Sequence, residues 1–101
     1  MTENLYHPDS IRTFSGKYVN PLNPDPNTIC VEDIAHALSQ ICRFGGHLPY
    51  FYSVADHSLA VSYSLPAEHA LAGLLHDASE AFLCDIPSPV KRMITGYAEA
   101  E

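Results

Sequence analysis

The stretch that decides the fold reads ALAGLLHDASEAF, from Ala70 to Phe82. Apolar residues recur in it at intervals of three and four, which is the spacing of one face of an amphipathic helix. Pro66 stands just upstream, and proline is tolerated at the start of a helix but not inside one. The sequence therefore predicts a helix over residues 67–82, with an apolar face formed by Ala70, Leu71, Leu74, Leu75, Ala78 and Phe82.

Polar groups interrupt this apolar pattern. His76, Asp77 and Glu80 fall within one arc of about 100° on the predicted helix. Burying them without partners would be costly. A metal ion, or a hydrogen bond between the histidine and a carboxylate, would offset that cost, and periodicity alone leaves both open. A mixed nitrogen and oxygen ligand set suits Zn, Mn, Fe, Co or Ni, whereas an all-oxygen cage suits Mg or Ca better.

Two further helices are predicted upstream. Residues 31–43 carry apolar side chains at helical spacing, and the glycines that begin at Gly45 end this helix. Residues 53–64 read as the next helix, with Ser53 as its N-cap. This helix contains His57, which could supply another nitrogen ligand if the helix packs against residues 67–82.

The two ends of the chain are less regular. Residues 1–29 are rich in Pro, Asn, Asp and Gly, and we expect an irregular lead-in segment that allows a short hairpin around residues 15–16. Two prolines make residues 84–89 a loop. A fourth helix is predicted to start near Pro89, with Ser88 as its cap.

Length and charge limit the classes of function. A chain of 101 residues accommodates a single domain with a thin core, so we treat residues 1–101 as one unit. The formal net charge is -7 with only five Lys and Arg, which argues against binding a nucleic-acid duplex. An anionic small molecule could still bind beside a metal ion or a local cation.

The sequence also predicts a cytoplasmic location. No apolar run approaches the roughly 20 residues of a membrane span, and the N-terminus lacks the pattern of a secretory signal. The three cysteines are odd in number and form no CxxC pair, so we expect reduced thiols.

Three ordered motifs resemble the HD-domain metal-dependent phosphohydrolases. They are SVADHS around His57, LLHDASEA around His76, and DIPSPVK from Asp85 to Lys91. Within that superfamily the chain is most similar to the bacterial and phage branch of deoxyribonucleoside 5′-monophosphatases and phage deoxynucleotide hydrolases. The resemblance runs from about residue 11 to residue 101. It implies an all-α fold, in which antiparallel helices surround a buried divalent metal.

Carried over to this sequence, the resemblance assigns a ligand set. It implies that His57, His76 and Asp77 bind the divalent metal. Glu80 and Asp85 match the acidic pair near the reaction centre, which activates water or holds a second ion such as Mg.

The resemblance also assigns substrate contacts. Arg43, in CRFGGH, matches the arginine that contacts the substrate phosphate. Lys91 could assist by its charge, and a solvated lysine at a helix start is the competing interpretation.

The implied activity is hydrolysis of a phosphoester or phosphoanhydride of a nucleotide, with a deoxynucleotide as the expected substrate. The family completes its metal shell with an aspartate on a later helix, in a region that would lie beyond residue 101, so we expect a fragment or a truncated product. One alternative is a catalytically incomplete domain that binds metal or nucleotide, or serves in assembly. Another is a helical packing domain in which the histidine and aspartate only bond each other. We also expect self-association, because so short a helical domain leaves apolar faces uncovered.

Overall fold

Short helices, preceded by a small hairpin, make up most of the fold. The structure is a computed structural model and describes residues 8–101, apart from the side chain of Ala98. In chain order the elements are β1 (Ile11–Arg12), β2 (Tyr18–Val19), α1 (Val31–Gln40), α2 (Val54–Ser64), α3 (Ala70–Leu75), α4 (Glu80–Leu83), α5 (Ser88–Lys91) and α6 (Tyr97–Ala100). Single turns of 3₁₀ helix lie at Pro26–Thr28, Arg43–Gly46 and Ala67–His69. The predicted helical class is confirmed, with a two-stranded hairpin added to it.

The hairpin lies within the segment predicted to be irregular. Strands β1 and β2 pair antiparallel, with Ile11 opposite Val19. Their turn uses Gly16 at φ 90°, a left-handed conformation that favours glycine. The allowed hairpin around residues 15–16 is therefore present, whereas residues 1–7 of the predicted lead-in lie outside the described residues.

A buried carboxylate connects this hairpin to the helical part of the chain. Asp33, in the first turn of α1, accepts hydrogen bonds from the Ser15 amide at 2.8 Å, the Ser15 hydroxyl at 2.7 Å and the Cys30 thiol at 3.1 Å. Burial opposes ionisation of this carboxyl, but hydrogen bonds from Ser15, Thr13 and Cys30 outweigh it and hold the pKa of Asp33 well below its ordinary value. The turn of the hairpin is thus held against the start of α1.

Helix α1 ends earlier than predicted. The spacing predicts a helix over residues 31–43, but α1 ends at Gln40. Backbone hydrogen bonds across the chain explain the difference, because the Arg43 amide donates to Tyr52 at 2.8 Å and the Val54 amide donates to Ile41 at 2.9 Å. This pairing places Arg43 beside the start of α2, where Ser53 caps the helix as predicted by accepting a bond from the amide three residues later.

The predicted helix over residues 67–82 is interrupted by a turn at residues 76–79. Amides in and after this turn bond to carbonyls three residues earlier, at 2.9–3.1 Å, which is the tighter 3₁₀ pattern. One cause is His76, whose Nδ1 lies 2.6 Å from the carbonyl oxygen of Gly73 and occupies the acceptor that a further α-helical turn would use. The His-Asp doublet therefore lies in a tight turn rather than on a continuous helix.

Helices α2 and α3 pack closely at Gly73. A Cβ atom added there would lie 2.5 Å from Cδ1 of Leu65 and 3.3 Å from Cγ1 of Val61. Because α2 carries His57 and the turn after α3 carries His76, this packing sets the distance between the two imidazole rings.

The start of the last predicted helix is shifted by one residue. Ser88 is the first residue of α5 rather than its cap, and Pro87 precedes it without a side-chain cap. The predicted loop before it is present but shorter, since it covers residues 84–87 rather than 84–89.

The core is as thin as the chain length predicts. The buried apolar residues in the described part of the chain are Val19, Leu38, Val54 and Tyr97. The buried polar residues are Asp33, Ser53, Ser58 and Glu80.

The three cysteines form no disulfide bond; they are Cys30, Cys42 and Cys84. Among the described helices, none combines the length and apolar character needed to cross a membrane.

Candidate metal centre

All seven residues predicted for the site line one cleft. Its volume is about 490 Å³. Four segments form its walls: the 3₁₀ turn before α2, α2 itself, the turn between α3 and α4, and the chain from 85 to 91. The predicted residues that line it are Arg43, His57, His76, Asp77, Glu80, Asp85 and Lys91.

Three of these residues form a cluster with metal-binding geometry. One donor atom from each of His57, His76 and Asp77 lies within 4.8 Å of the other two. Oδ2 of Asp77 is 2.9 Å from Nε2 of His76 and 3.6 Å from Nε2 of His57. The two imidazole rings meet edge to face, with centroids 5.3 Å apart. Two imidazoles and a carboxylate form the mixed donor set that suits first-row divalent metals.

The contacts of His76 favour a cation at this point. Its Nδ1 lies 2.6 Å from the carbonyl oxygen of Gly73, an acceptor, so Nδ1 carries a proton. In the neutral ring the lone pair is then on Nε2, which faces the Asp77 carboxylate at 2.9 Å. Two electron-rich atoms at this distance require a proton or a metal cation between them. A histidine held through its other nitrogen is also the usual arrangement in metal sites.

His57 is presented differently. Its Nδ1 lies 2.9 Å from Nη1 of Arg43, and arginine only donates hydrogen bonds. Nδ1 therefore accepts, and the proton of the neutral ring is on Nε2. Burial and the charge of Arg43 hold the pKa of His57 below its ordinary value. The neutral ring suits a metal ligand, but Nε2 can bind a metal only when its proton leaves, either to Nδ1 after Arg43 releases that nitrogen or from the ring altogether.

The acidic pair is divided between a buried and an accessible carboxyl. Glu80 is 4% exposed. Burial, then a hydrogen bond with Asp77 and the charges of Asp77 and Asp85, raise the pKa of Glu80 to about 8. Asp85 is less buried, and its Oδ2 lies 3.8 Å from Nε of Arg43. The cleft can therefore hold a proton on Glu80 beside a carboxylate that faces a guanidinium.

Two cations lie at the edges of the cleft. Arg43 contacts His57 and Asp85, and its guanidinium carbon is 4.7 Å from the ring centroid of Phe44. Lys91 lines the cleft as well, and its Nζ bonds Oε2 of Glu101 at 3.1 Å. This hydrogen bond raises the pKa of Lys91. Two cations therefore line the cleft, each beside a carboxylate partner.

Sequence reasoning missed several residues that shape the site. Phe44 lines the cleft at φ 56°, a left-handed conformation rare for a bulky side chain. Its position between an arginine and two glycines is the signal that could have pointed to it. Glu101 and Tyr97 both contact Lys91, and their spacing in the sequence gives no such signal.

Comparison with known proteins adds two relatives. No protein-family model matches this chain. It is 50% identical over 93 residues to a protein of Escherichia coli K12 named uncharacterized protein YfdR, an alignment that covers 90% of this chain and 51% of that protein. It is 41% identical over 100 residues to uncharacterized protein RCAP_rcc00048 of Rhodobacter capsulatus, covering 89% of this chain and 51% of that protein. The chain thus spans about half the length of the curated relatives it matches, and their names state no activity.

Proposed function

We propose that this chain is a metal-dependent phosphohydrolase domain of the HD type, which acts on the phosphate of a nucleotide. One observation carries the proposal. His57, His76 and Asp77 present donor atoms within 4.8 Å of one another, in a cleft also lined by two cations and two further carboxyls. Metal ligands, phosphate-binding cations and proton-transfer groups are the components that metal-dependent hydrolysis of a phosphate ester uses.

His57, His76 and Asp77 would hold the metal. The divalent ion would be Mn, Co, Zn, Fe or Ni, with Mg as a candidate second ion near the acidic pair. When bound, such an ion lowers the pKa of its water and offsets negative charge on phosphate oxygens. The fit of the donor set supports this assignment, because Nε2 of His76 and Oδ2 of Asp77 lie 2.9 Å apart, where both can bind one cation.

The remaining residues have separate roles in the proposal. Arg43 binds a phosphate oxygen pair through its guanidinium, which lines the cleft beside His57 and Asp85. Lys91, which also lines the cleft, contributes a point charge. Glu80 holds a proton at its carboxyl near neutral pH, and Asp85 accepts one.

The proposed substrate class rests on the size of the cleft and on the charges of the chain. A cleft of about 490 Å³ is in the range of small-molecule sites. The net charge of -7 disfavours long polyanions, whereas two local cations suit a single nucleotide. A deoxynucleotide is the substrate that the sequence resemblance implies.

Metal content is the first test. Elemental analysis of the purified protein should find near-stoichiometric metal in the wild type and little in the His76→Ala/Asp77→Ala variant. The chain offers a matched control in His69 and Glu68, an exposed pair 3.7 Å apart outside the cleft. Their double alanine variant should keep the metal.

Phosphate release is the second test. Deoxynucleoside mono- and triphosphates and cyclic nucleotides would be supplied with Mn, Co or Mg, and release should depend on His76 and Asp77 but not on the control pair. Metal without phosphate release would favour the alternative, a domain that binds metal or nucleotide without turnover. Absence of metal from every protein would refute the site.

A further inference from the structure

Cys84, the residue before Asp85, has an unusual backbone conformation. Its φ is 69° and its ψ is 166°. This region is populated almost solely by glycine, because a Cβ atom crowds the backbone there. Strain of this kind persists only where neighbouring contacts hold it, and such contacts are therefore informative.

Tyr97 provides two of those contacts, in addition to the bond from the Cys84 amide to the Glu80 carbonyl at 2.9 Å. Its hydroxyl lies 3.0 Å from the carbonyl oxygen of Cys84 and 3.3 Å from that of Leu83, so one phenolic proton is shared between two consecutive carbonyls. Tyr97 is 8% exposed and is among the few buried apolar residues of the described chain. Its ring also lies 5.2 Å from Nζ of Lys91. Burial raises the pKa of the phenol, which keeps it a donor.

The strained residue controls the direction of the chain into the cleft. Asp85 follows it directly and reaches Arg43, at 3.8 Å between Oδ2 and Nε. If Cys84 relaxed to a negative φ, the peptide that joins it to Asp85 would rotate and withdraw the carboxylate from Arg43. We therefore expect the unstrained alternative to separate Asp85 from Arg43 at one wall of the cleft.

We propose that Tyr97 is a positioning residue, whose hydroxyl holds the left-handed conformation of Cys84 and thereby keeps Asp85 directed at Arg43 in the cleft. The role of Asp85 in turnover rests on the proposed function. The positioning itself rests on the hydrogen bonds and dihedral angles of this loop, and it can be tested separately.

Rescue by glycine separates positioning from general packing. Tyr97→Phe keeps the buried ring and removes the hydroxyl, and we expect kcat/KM for phosphate release to fall about tenfold. Adding Cys84→Gly should restore kcat/KM to within about twofold of the wild type, because glycine adopts this conformation without the hydrogen bonds from the Tyr97 hydroxyl. Tyr63→Phe, at a tyrosine that is 83% exposed, is the matched control and should change nothing.

An NMR measurement follows the contact between Asp85 and Arg43 without requiring turnover. The chain has three arginines, so the Nε–Hε signal of Arg43 can be assigned with an Arg43→Lys variant. This signal should shift in Asp85→Asn, shift in the same direction in Tyr97→Phe, and return in Tyr97→Phe/Cys84→Gly.

The outcomes separate the two proposals. If Tyr97→Phe released phosphate as fast as the wild type, or if its Arg43 signal did not shift, the positioning role would be overturned and the proposed function would stand. Failure of Cys84→Gly to restore either readout would also overturn it. No phosphate release from any protein, with the expected Arg43 shifts, would instead refute the hydrolase and support the positioning.

Discussion

Nη1 of Arg43 donates to Nδ1 of His57 across 2.9 Å, and this bond fixes the ring proton on the nitrogen that faces Asp77. The predicted phosphate-binding cation is thus bonded to a predicted metal ligand. Because arginine cannot accept a hydrogen bond, a metal on Nε2 and Arg43 on Nδ1 exclude each other unless the ring loses its proton. In the proposed function, metal binding would therefore compete with Arg43 and release it towards substrate.

Removing Arg43 should strengthen metal binding. Arg43→Met keeps the length of the side chain but removes the bond to His57 and a positive charge near the metal. We expect the affinity for Mn or Zn to rise about tenfold, since a charged hydrogen bond no longer has to be broken. Phosphate release should fall in the same variant. Titration against a chelator of known affinity measures the first effect.

The exposed Arg92 supplies the control for this prediction. Arg92→Met removes the same charge outside the cleft and should leave the metal affinity unchanged. Weaker metal binding in Arg43→Met would contradict the competition between arginine and metal.

Protonation of Asp33 at low pH should weaken the hydrogen bonds that hold the hairpin against α1. The pKa of Asp33 is depressed in the folded chain from its ordinary value of 3.8, so its carboxylate contributes stability that is fully present above that value and is lost as the pH falls further. Asp33→Asn should lower the thermal midpoint by several degrees near neutral pH, and the difference should shrink below about pH 4.

Circular dichroism melts over this pH range measure the effect. Asp9→Asn, at an exposed carboxylate, is the control and should melt like the wild type throughout. A difference between Asp33→Asn and the wild type that stays constant with pH would show that the carboxylate charge contributes nothing.

How far the sequence predicts the structure differs between elements. Helix α2 was predicted almost to the residue, because its apolar spacing and the Ser53 cap are both local signals. The break at residues 76–79 was not, because it depends on a side chain, His76, that takes the carbonyl of Gly73. Periodicity predicts which face of a helix is apolar, but it does not predict hydrogen bonds between side chains and the backbone.

The residues of the site differ in the same way, because some are grouped by local spacing and others by packing between distant segments. Spacing alone grouped His76, Asp77 and Glu80, whereas the approach of His57 and Arg43 depends on packing between distant segments. The sequence allows His57 as a further nitrogen ligand if the two helices pack together, and the resemblance to HD-domain proteins assigns a role to each of the two residues. The structure places all seven in one cleft, while their roles in metal and substrate binding stay predictions. The left-handed Cys84 has no sequence signal at all, since glycine would be the expected residue there.

Gly73 should respond differently to alanine in two backgrounds. In the wild type a new Cβ would meet Leu65 at 2.5 Å, and overpacking of this kind costs about 1–3 kcal/mol. Leu65→Ala removes the nearest obstacle and leaves Cγ1 of Val61 at 3.3 Å, so Gly73→Ala should cost less in this background, where the higher helix propensity of alanine, about 1 kcal/mol, offsets the remaining crowding. Urea titrations of the four proteins measure the free energies of unfolding. Equal effects of Gly73→Ala in both backgrounds would contradict close packing at this point.

Self-association is expected through the groove between α1, α2 and α3. Its volume is about 230 Å³, and its rim includes Val31, Leu59 and Leu75, which are 74%, 44% and 46% exposed. Its lining includes the buried hydroxyl of Ser58, which has no hydrogen-bond partner among the described residues. Apolar surface of this kind favours contact with a second copy. Light scattering after size exclusion should find a dimer or larger species that Leu59→Glu dissociates, while Leu22→Glu, at an equally apolar but distant position that is 76% exposed, should not. A monodisperse wild-type monomer at every concentration would refute this surface as a contact between copies.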